Sequence, residues 1–365
     1  MITYKSNNKQ TSNTFQVTVV GDKEYSEKMK ALYIEKENTV YLKDVPRPQP
    51  QPDELLIKVA ASGFCGSDIH ILKGGHVQKY PVIPGHEFSG VVEAVGSNVI
   101  NFKPGDRVSA DPNVFCENCD ACKSNHQIHC KNLSVLGSLR DGAFAEYVTV
   151  PERCAFHIGD LDFIQASMAE PLGCVINSHN KYEIPIGSTV LIMGAGTIGL
   201  MQMLLSKKRG AARVVMTDIK DAQLEKAKEL GADITIKSEA DVEQKLWELA
   251  PEGFDIVIDA TGVPKCVEMG IKHVKYAGKM IVFGACPVGS SIAVDPFDIY
   301  FRDIQIIGSY ALEKTLGQAI AMLQSGALDL RPLVGRVVSL EESVQVFQDF
   351  ADGKTSNKLI VSFFD

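Results

Sequence analysis

The sequence predicts an α/β protein of two units, a β-rich unit split in sequence and a doubly wound unit set between its parts. Three observations carry this. Over 183–311, six apolar runs alternate with helix-like segments, the order that builds a parallel sheet covered on both faces. Over 29–182, short runs such as ELLIKVAAS, SGVVEAVG and DRVSADP are separated by Pro, Gly and Asn, which suits a barrel-like β unit. Over 312–365 the character is mixed again and closes on the strand-like KLIVSFF, which is expected to rejoin the first unit and make it discontinuous.

Taken in order, residues 1–28 open on the polar, aperiodic MITYKSNNKQTSN, with a second start-like point at Met29. They read as a tail, in which FQVTVV alone could add a strand. In the second unit the apolar runs are STVLIMGAG, ARVVMTDI, ADITIK, FDIVIDATG, KMIVFGAC and DIQIIGSY. Their lack of clean alternation predicts strands buried on both faces. Between them, TIGLMQMLLSKKRG, DAQLEKAKELG, EADVEQKLWELA and PKCVEMGIKHVKYAG read as helical crossovers.

A chain of 365 residues is comfortable for two cores. Its formal net charge of -8 argues against nucleic acid or an anionic membrane as partner, because both select basic patches. The apolar runs are too short to span a bilayer, and no charged-then-apolar leader opens the chain. Nine cysteines, four of them within residues 116–130, suit reduced thiols and metal better than a disulfide framework. A cytoplasmic setting is expected.

Gly194-Ala195-Gly196-Thr197-Ile198-Gly199 follows the first apolar run of the second unit and opens a helix-like segment. In that context the pattern is a dinucleotide fingerprint. Gly194 makes the turn, Gly196 admits a pyrophosphate close to the backbone, and Gly199 lets helix and strand pack. The helix start offers free amides and a positive dipole end to the phosphates. Asp218 ends the second run, 19 residues after Gly199. A carboxylate there accepts from both adenosine ribose hydroxyls and repels a 2′-phosphate, which favours NAD over NADP. Gly284, Ala285, Ser309 and Tyr310 end later runs where the nicotinamide is expected.

Cys116, Cys119, Cys122 and Cys130 have the spacing C-x2-C-x2-C-x7-C. Four thiolates close a tetrahedral shell, so a structural zinc is the favoured content. An iron–sulfur cluster takes the same ligands, but no electron-transfer partner site accompanies it. His126 and His129 lie within this loop and could replace a cysteine, although four thiolates already suffice. A catalytic metal needs fewer ligands and an open position. GFCGSDIH gathers Cys65, Ser67, Asp68 and His70, PGHEFSG supplies His86 and Glu87, and MAEPLGC offers Glu170 and Cys174.

These residues carry a resemblance. GHEFSGVVEAVGSNV matches the signature G-H-E-x2-G-x5-G-x2-V, and from Met29 onward the chain resembles the zinc-dependent medium-chain alcohol dehydrogenases. The match includes CGSDIH, the four-cysteine lobe, DGAFAEYV and the glycine fingerprint. It implies a GroES-like catalytic domain, a Rossmann domain, a substrate cleft between them, and two zinc ions per subunit, one catalytic and one structural. By resemblance, Cys65 and His86 are catalytic-zinc ligands. Either Glu170 or Glu87 completes the shell, Asp68 orients the ligand histidine, and Cys174 is packing. Zinc would polarise the substrate hydroxyl. Ser67 would take its proton and pass it through the nicotinamide ribose to His70, while the hydride goes to NAD.

The Glu170-Pro171-Leu172 motif resembles the polyol (sorbitol-like) dehydrogenase branch, whose substrates include sugar alcohols and sugar-alcohol phosphates. Two departures count against sorbitol itself. Ile71 follows His70 where the sorbitol enzymes carry tyrosine, and Ala311-Leu312 replaces their Arg-Tyr pair. Gln223 stands where a basic residue often meets the adenosine ribose. Two other readings remain: a threonine-type amino-alcohol dehydrogenase, and a zinc- and NAD-binding regulatory protein without turnover. Family members imply a homodimer or homotetramer.

Overall fold

The computed structural model describes residues 27–75, 79–354 and 357–364. The FQVTVV stretch, and with it most of the expected tail, lies outside them.

All six predicted strands of the second unit form. They lie side by side as Ile234–Lys237, Arg213–Asp218, Thr189–Met193, Phe254–Asp259, Val274–Val282 and Gln305–Gly308. Every pair is parallel. Leu191, Ile192, Val215 and Val257 are fully buried, which is why these runs show no polar face. Strand order reverses beside Thr189–Met193, and a ligand crevice is expected at the carboxyl ends there.

Helices Thr197–Lys208, Asp221–Glu229, Val242–Leu249 and Pro264–Lys272 cross over between strands. The last is shorter than the sequence predicts. Val274 already pairs with Phe254, and a register shift carries the strand on to Lys279 opposite Ile256. Left-handed Ala277, followed by Gly278 packed on Val274, turns KYAG into a bulged strand entry instead of a last helical turn. Helix Pro296–Arg302 was missed, although its start is marked: Asp295 Oδ1 accepts from Phe297 N at 2.9 Å and Pro296 occupies the first turn.

The β-rich sheet is built around Glu54–Gly63. This strand pairs antiparallel with Glu87–Val95, Tyr147–Pro151 and Lys358–Ser362. Val334–Val338 pairs with the last of these, so strands from beyond residue 330 complete a sheet begun near residue 54. Helix Ala169–His179 lies between the two sheets in sequence and packs on both Thr197–Lys208 and Leu316–Gln324. Among the described residues no helix is long and apolar enough to cross a membrane.

Candidate active site

Cys65 caps helix Gly66–Leu72 and His86 immediately precedes strand Glu87–Val95. One buried carboxylate registers the two. Asp68 Oδ2 accepts from Cys65 N at 2.9 Å, and its Oδ1 lies 3.5 Å from His86 Nδ1. The Asp68 side chain is fully buried. With Nδ1 engaged, His86 turns Nε2 toward Ser67 Oγ at 3.2 Å. Donor atoms of Cys65, His86 and Glu87 then lie within 4.8 Å of one another. A thiolate, an imidazole and a carboxylate at that spacing suit zinc with an open position.

Glu170 is buried near the start of helix Ala169–His179, and its Oε1 accepts from Cys174 Sγ at 3.6 Å. Cys174 therefore does more than pack. Burial pushes the Glu170 carboxyl up to about 7, against the pull of His86. Burial also opposes the His86 imidazolium, but the Asp68 and Cys65 charges outweigh it and hold its pKa well above the ordinary value. A bound cation would take over this compensation and favour deprotonated ligands.

Sequence reasoning missed Lys358. It comes from the returning strand, is 4% exposed, donates to Phe64 O at 2.8 Å and forms an ion pair with Glu87. Glu87 is thus shared between the candidate metal group and an ammonium. The signal was a lone lysine opening the otherwise apolar run KLIVSFF, and nothing local to that run says what it meets.

The four lobe cysteines also converge, with all sulfurs within 4.8 Å of one another. Cys119 Sγ lies 3.6 Å from Cys122 Sγ and 3.9 Å from Cys130 Sγ. Around one tetrahedral ion with metal–sulfur bonds of about 2.3 Å the sulfur–sulfur edge is about 3.8 Å. A single zinc fits. A cluster would spread the thiolates over several iron atoms. The Asn118 amide pulls the Cys116 thiol down to about 6, whereas burial pushes Cys122 up to about 12. His126 and His129 are exposed and take no place in this group.

The glycine fingerprint sits at the crevice. Gly194 has φ +97°, and Gly196 caps helix Thr197–Lys208. A Cβ on Gly199 would stand 1.8 Å from Gly194 O, whereas one on Gly196 would meet nothing within 4 Å. The first contact demands glycine for packing. The second leaves room over the amides for a phosphate. Thr197 and Ile198 are half-buried at the helix start. Both Asp218 oxygens are fixed by amides, Oδ2 by Ala195 N at 2.8 Å and Oδ1 by Lys220 N at 2.9 Å. Ile219 beside it is 69% exposed, an apolar surface that sequence reasoning passed over. Gln223 is 2% exposed and its amide donates to Asn357 Oδ1 at 3.2 Å.

At the far end of the crevice Gly284 N donates to Asp259 O at 2.9 Å and Ser309 N to Val282 O at 3.0 Å. Ala285 is exposed, Tyr310 is 60% exposed, and the buried Ser309 hydroxyl finds no partner among the described residues. An orphaned hydroxyl at this point, with open space at Gly196, fits a bound dinucleotide. His70 is exposed one turn beyond Ser67 on the same helix.

Comparison with known proteins agrees with this geometry. The family profile for the alcohol dehydrogenase GroES-like domain matches residues 51–160, and that for zinc-binding dehydrogenase matches 197–325. The chain is 35% identical to D-altritol 5-dehydrogenase of Agrobacterium fabrum, covering 86% of this chain and 94% of that one. It is 34% identical to D-arabinitol dehydrogenase 1 of Uromyces fabae (88% and 94% covered) and 35% identical to L-threonine 3-dehydrogenase of Chromobacterium violaceum (88% and 95%). A zinc-binding dehydrogenase structure from Sinorhizobium meliloti 1021, bound to NADP, superposes with a TM-score of 0.87 at 34% identity, covering 92% of this chain and 99% of that one. The chain belongs to the zinc-dependent medium-chain alcohol dehydrogenase family, an oxidoreductase family that works with zinc and a nicotinamide dinucleotide.

Proposed function

We propose that the protein oxidises a secondary alcohol of a polyol, sugar or sugar-alcohol phosphate and delivers the hydride to NAD. The observation that carries this reading is the convergence of donor atoms of Cys65, His86 and Glu87 within 4.8 Å of one another, with the Ser67 hydroxyl beside them, 3.2 Å from His86 Nε2. Zinc held by Cys65, His86 and one of these glutamates supplies Lewis acidity toward the substrate hydroxyl. Ser67 receives the hydroxyl proton, and His70, three residues on and exposed, returns it to solvent. Glu87, Glu170, Asp111 and Lys358 share one electrostatic neighbourhood. Such a polar neighbourhood suits a substrate with several hydroxyls. Relatives named for altritol and arabinitol support the polyol class.

Steady-state NADH formation tests it on a panel of D-arabinitol, D-altritol, sorbitol, galactitol 1-phosphate and L-threonine. A polyol or its phosphate should exceed threonine at least tenfold in kcat/KM, with sorbitol behind the best polyol. The threonine reading stands on a relative of equal identity, and a threonine preference would replace the polyol assignment with it.

Asp218 sets the cofactor preference in this reading. Asp218→Ala should lower the NAD-over-NADP ratio of kcat/KM by about 10- to 100-fold, since the lost ribose contacts and the lost repulsion are each worth up to about 1.4 kcal/mol, or about tenfold. An unchanged ratio would remove Asp218 from the ribose.

The reading also includes a cytoplasmic location, supported by nine free cysteines, and a homo-oligomer built on the Gln305–Gly308 edge. That strand ends the parallel sheet, and Ile306 on it is 43% exposed. Tyr276, Phe297, Tyr300 and Phe301 are exposed nearby, with Phe297 and Phe301 rings stacked at 5.7 Å. A second copy related by a twofold axis would cover both the edge and the aromatic patch. Light scattering should give at least twice the chain mass, reduced by Ile306→Lys. A monomeric parent would refute this.

A further inference from the structure

The segment Tyr310–Lys314 leads out of the last parallel strand and crosses toward the β-rich unit. Two of its residues, neither of them glycine, are left-handed: Ala311 at φ 48° and Lys314 at φ 55°. A segment in that conformation persists only where its surroundings hold it. The holders are specific. Asn177 Nδ2 donates to Ala311 O at 2.8 Å and Thr315 Oγ1 to Gly173 O at 2.7 Å, while Leu312 is fully buried against Gly173. Asn177 and Gly173 belong to the helix that carries Glu170 and Cys174. One side of the segment is therefore fastened to the metal-site helix.

The other side is fastened to the four-cysteine lobe. Ile128 N, between Cys122 and Cys130, donates to Glu313 Oε1 at 3.2 Å. Ile128 is itself buried. The lobe thus reaches 185 residues along the chain to grip the one acidic side chain of a segment whose first residue, Tyr310, stands exposed just past the last parallel strand.

We propose that Glu313 is a positioning residue that ties the zinc-stapled lobe to the Tyr310–Lys314 segment, whose other side is fastened to the helix carrying Glu170. The lobe then serves the reaction as well as the fold, because its backbone holds that segment in register with the helix carrying Glu170. The proposal rests on the alcohol-oxidation reading of the cleft and adds to it a residue that touches neither substrate nor metal.

The test compares the full-length parent with Glu313→Ala and Glu313→Gln, using D-arabinitol and NAD as probes. Glu313→Ala should raise the KM for D-arabinitol about tenfold, leave the KM for NAD within twofold and keep both metal ions. Glu313→Gln, whose amide oxygen still accepts the Ile128 amide, should recover most of the loss. Hydrogen exchange should quicken in peptides covering 309–315 and 125–130 of the alanine variant only. An unchanged D-arabinitol KM in Glu313→Ala, an equal rise in the NAD KM, or a glutamine variant as impaired as the alanine one overturns the proposal. If the parent oxidises no alcohol, the functional reading fails, and the exchange measurement still judges the tie: parent-like exchange in both peptides of Glu313→Ala refutes it.

Discussion

His86→Ala will yield a folded protein that keeps one metal ion per chain in place of two, binds NADH as the parent does, and loses at least about 10³-fold in kcat/KM for its alcohol. The size follows from what the side chain joins. Its Nδ1 faces Asp68 at 3.5 Å and its Nε2 faces Ser67 at 3.2 Å, within the group formed with Cys65 and Glu87. Removing it takes away a ligand, breaks the link to the buried carboxylate and deprives Ser67 of its neighbour. Polarisation of a substrate oxygen by a metal contributes several kcal/mol, and each 1.36 kcal/mol is about tenfold in rate. Loss confined to the metal site should spare the dinucleotide crevice. Metal analysis, NADH fluorescence titration and turnover check the three parts separately. Activity within tenfold of the parent, or retention of both ions, would remove His86 from the metal. Asp68→Asn offers a graded companion: it keeps the shape but weakens the hold on His86, and metal affinity should fall about 10- to 100-fold.

What the sequence disclosed, and what it hid, follows from how far apart the interacting groups lie along the chain. The dinucleotide turn was legible because the backbone itself demands glycine there: at Gly199 a Cβ would collide with Gly194 O at 1.8 Å. The lobe was legible because its four thiol ligands lie within 15 residues, a spacing that points to bound metal. The parallel sheet was legible because burial on both faces leaves unbroken apolar runs. Lys358 was hidden because its partner Glu87 lies 271 residues away and a single lysine in a strand has many explanations. The tie between Ile128 and Glu313 was hidden for the same reason. Glu87 and Glu170 both stand in metal-ligand motifs, and their surroundings were hidden by distance along the chain: Glu87 lies with Cys65 and His86 within 4.8 Å while sharing Lys358, and Glu170 meets Cys174. Local rules read local structure, and the active site is assembled from both ends of the chain.

Cys119→Ser should lower the melting temperature by about 10 °C and reduce the metal content to one ion, with NADH affinity changed by less than a few-fold. The lobe has little besides metal to hold it. Its regular structure amounts to the one-turn helix Asp120–Lys123 and the 3-10 turn Gln127–His129, and Glu117 and Asn125 stand in left-handed conformations. Cys122, Ile128 and Cys130 are its buried apolar residues, too few to outweigh the chain entropy of ordering the loop. Structural zinc binding to small peptides is worth roughly 10–16 kcal/mol, and that energy is folding energy. Forfeiting about 3–5 kcal/mol of it with one thiolate shifts a unit of this size by about 2–4 °C per kcal/mol. Serine offers a poorer ligand of similar volume, so packing is preserved and the effect reports the metal. Calorimetry with metal analysis decides it: a parent-like melting temperature with two ions retained would mean that the sulfurs gather at 3.6–3.9 Å without holding anything. Because the lobe also grips Glu313, the same variant should raise the alcohol KM, an effect that a distant stability defect would not confine to one substrate.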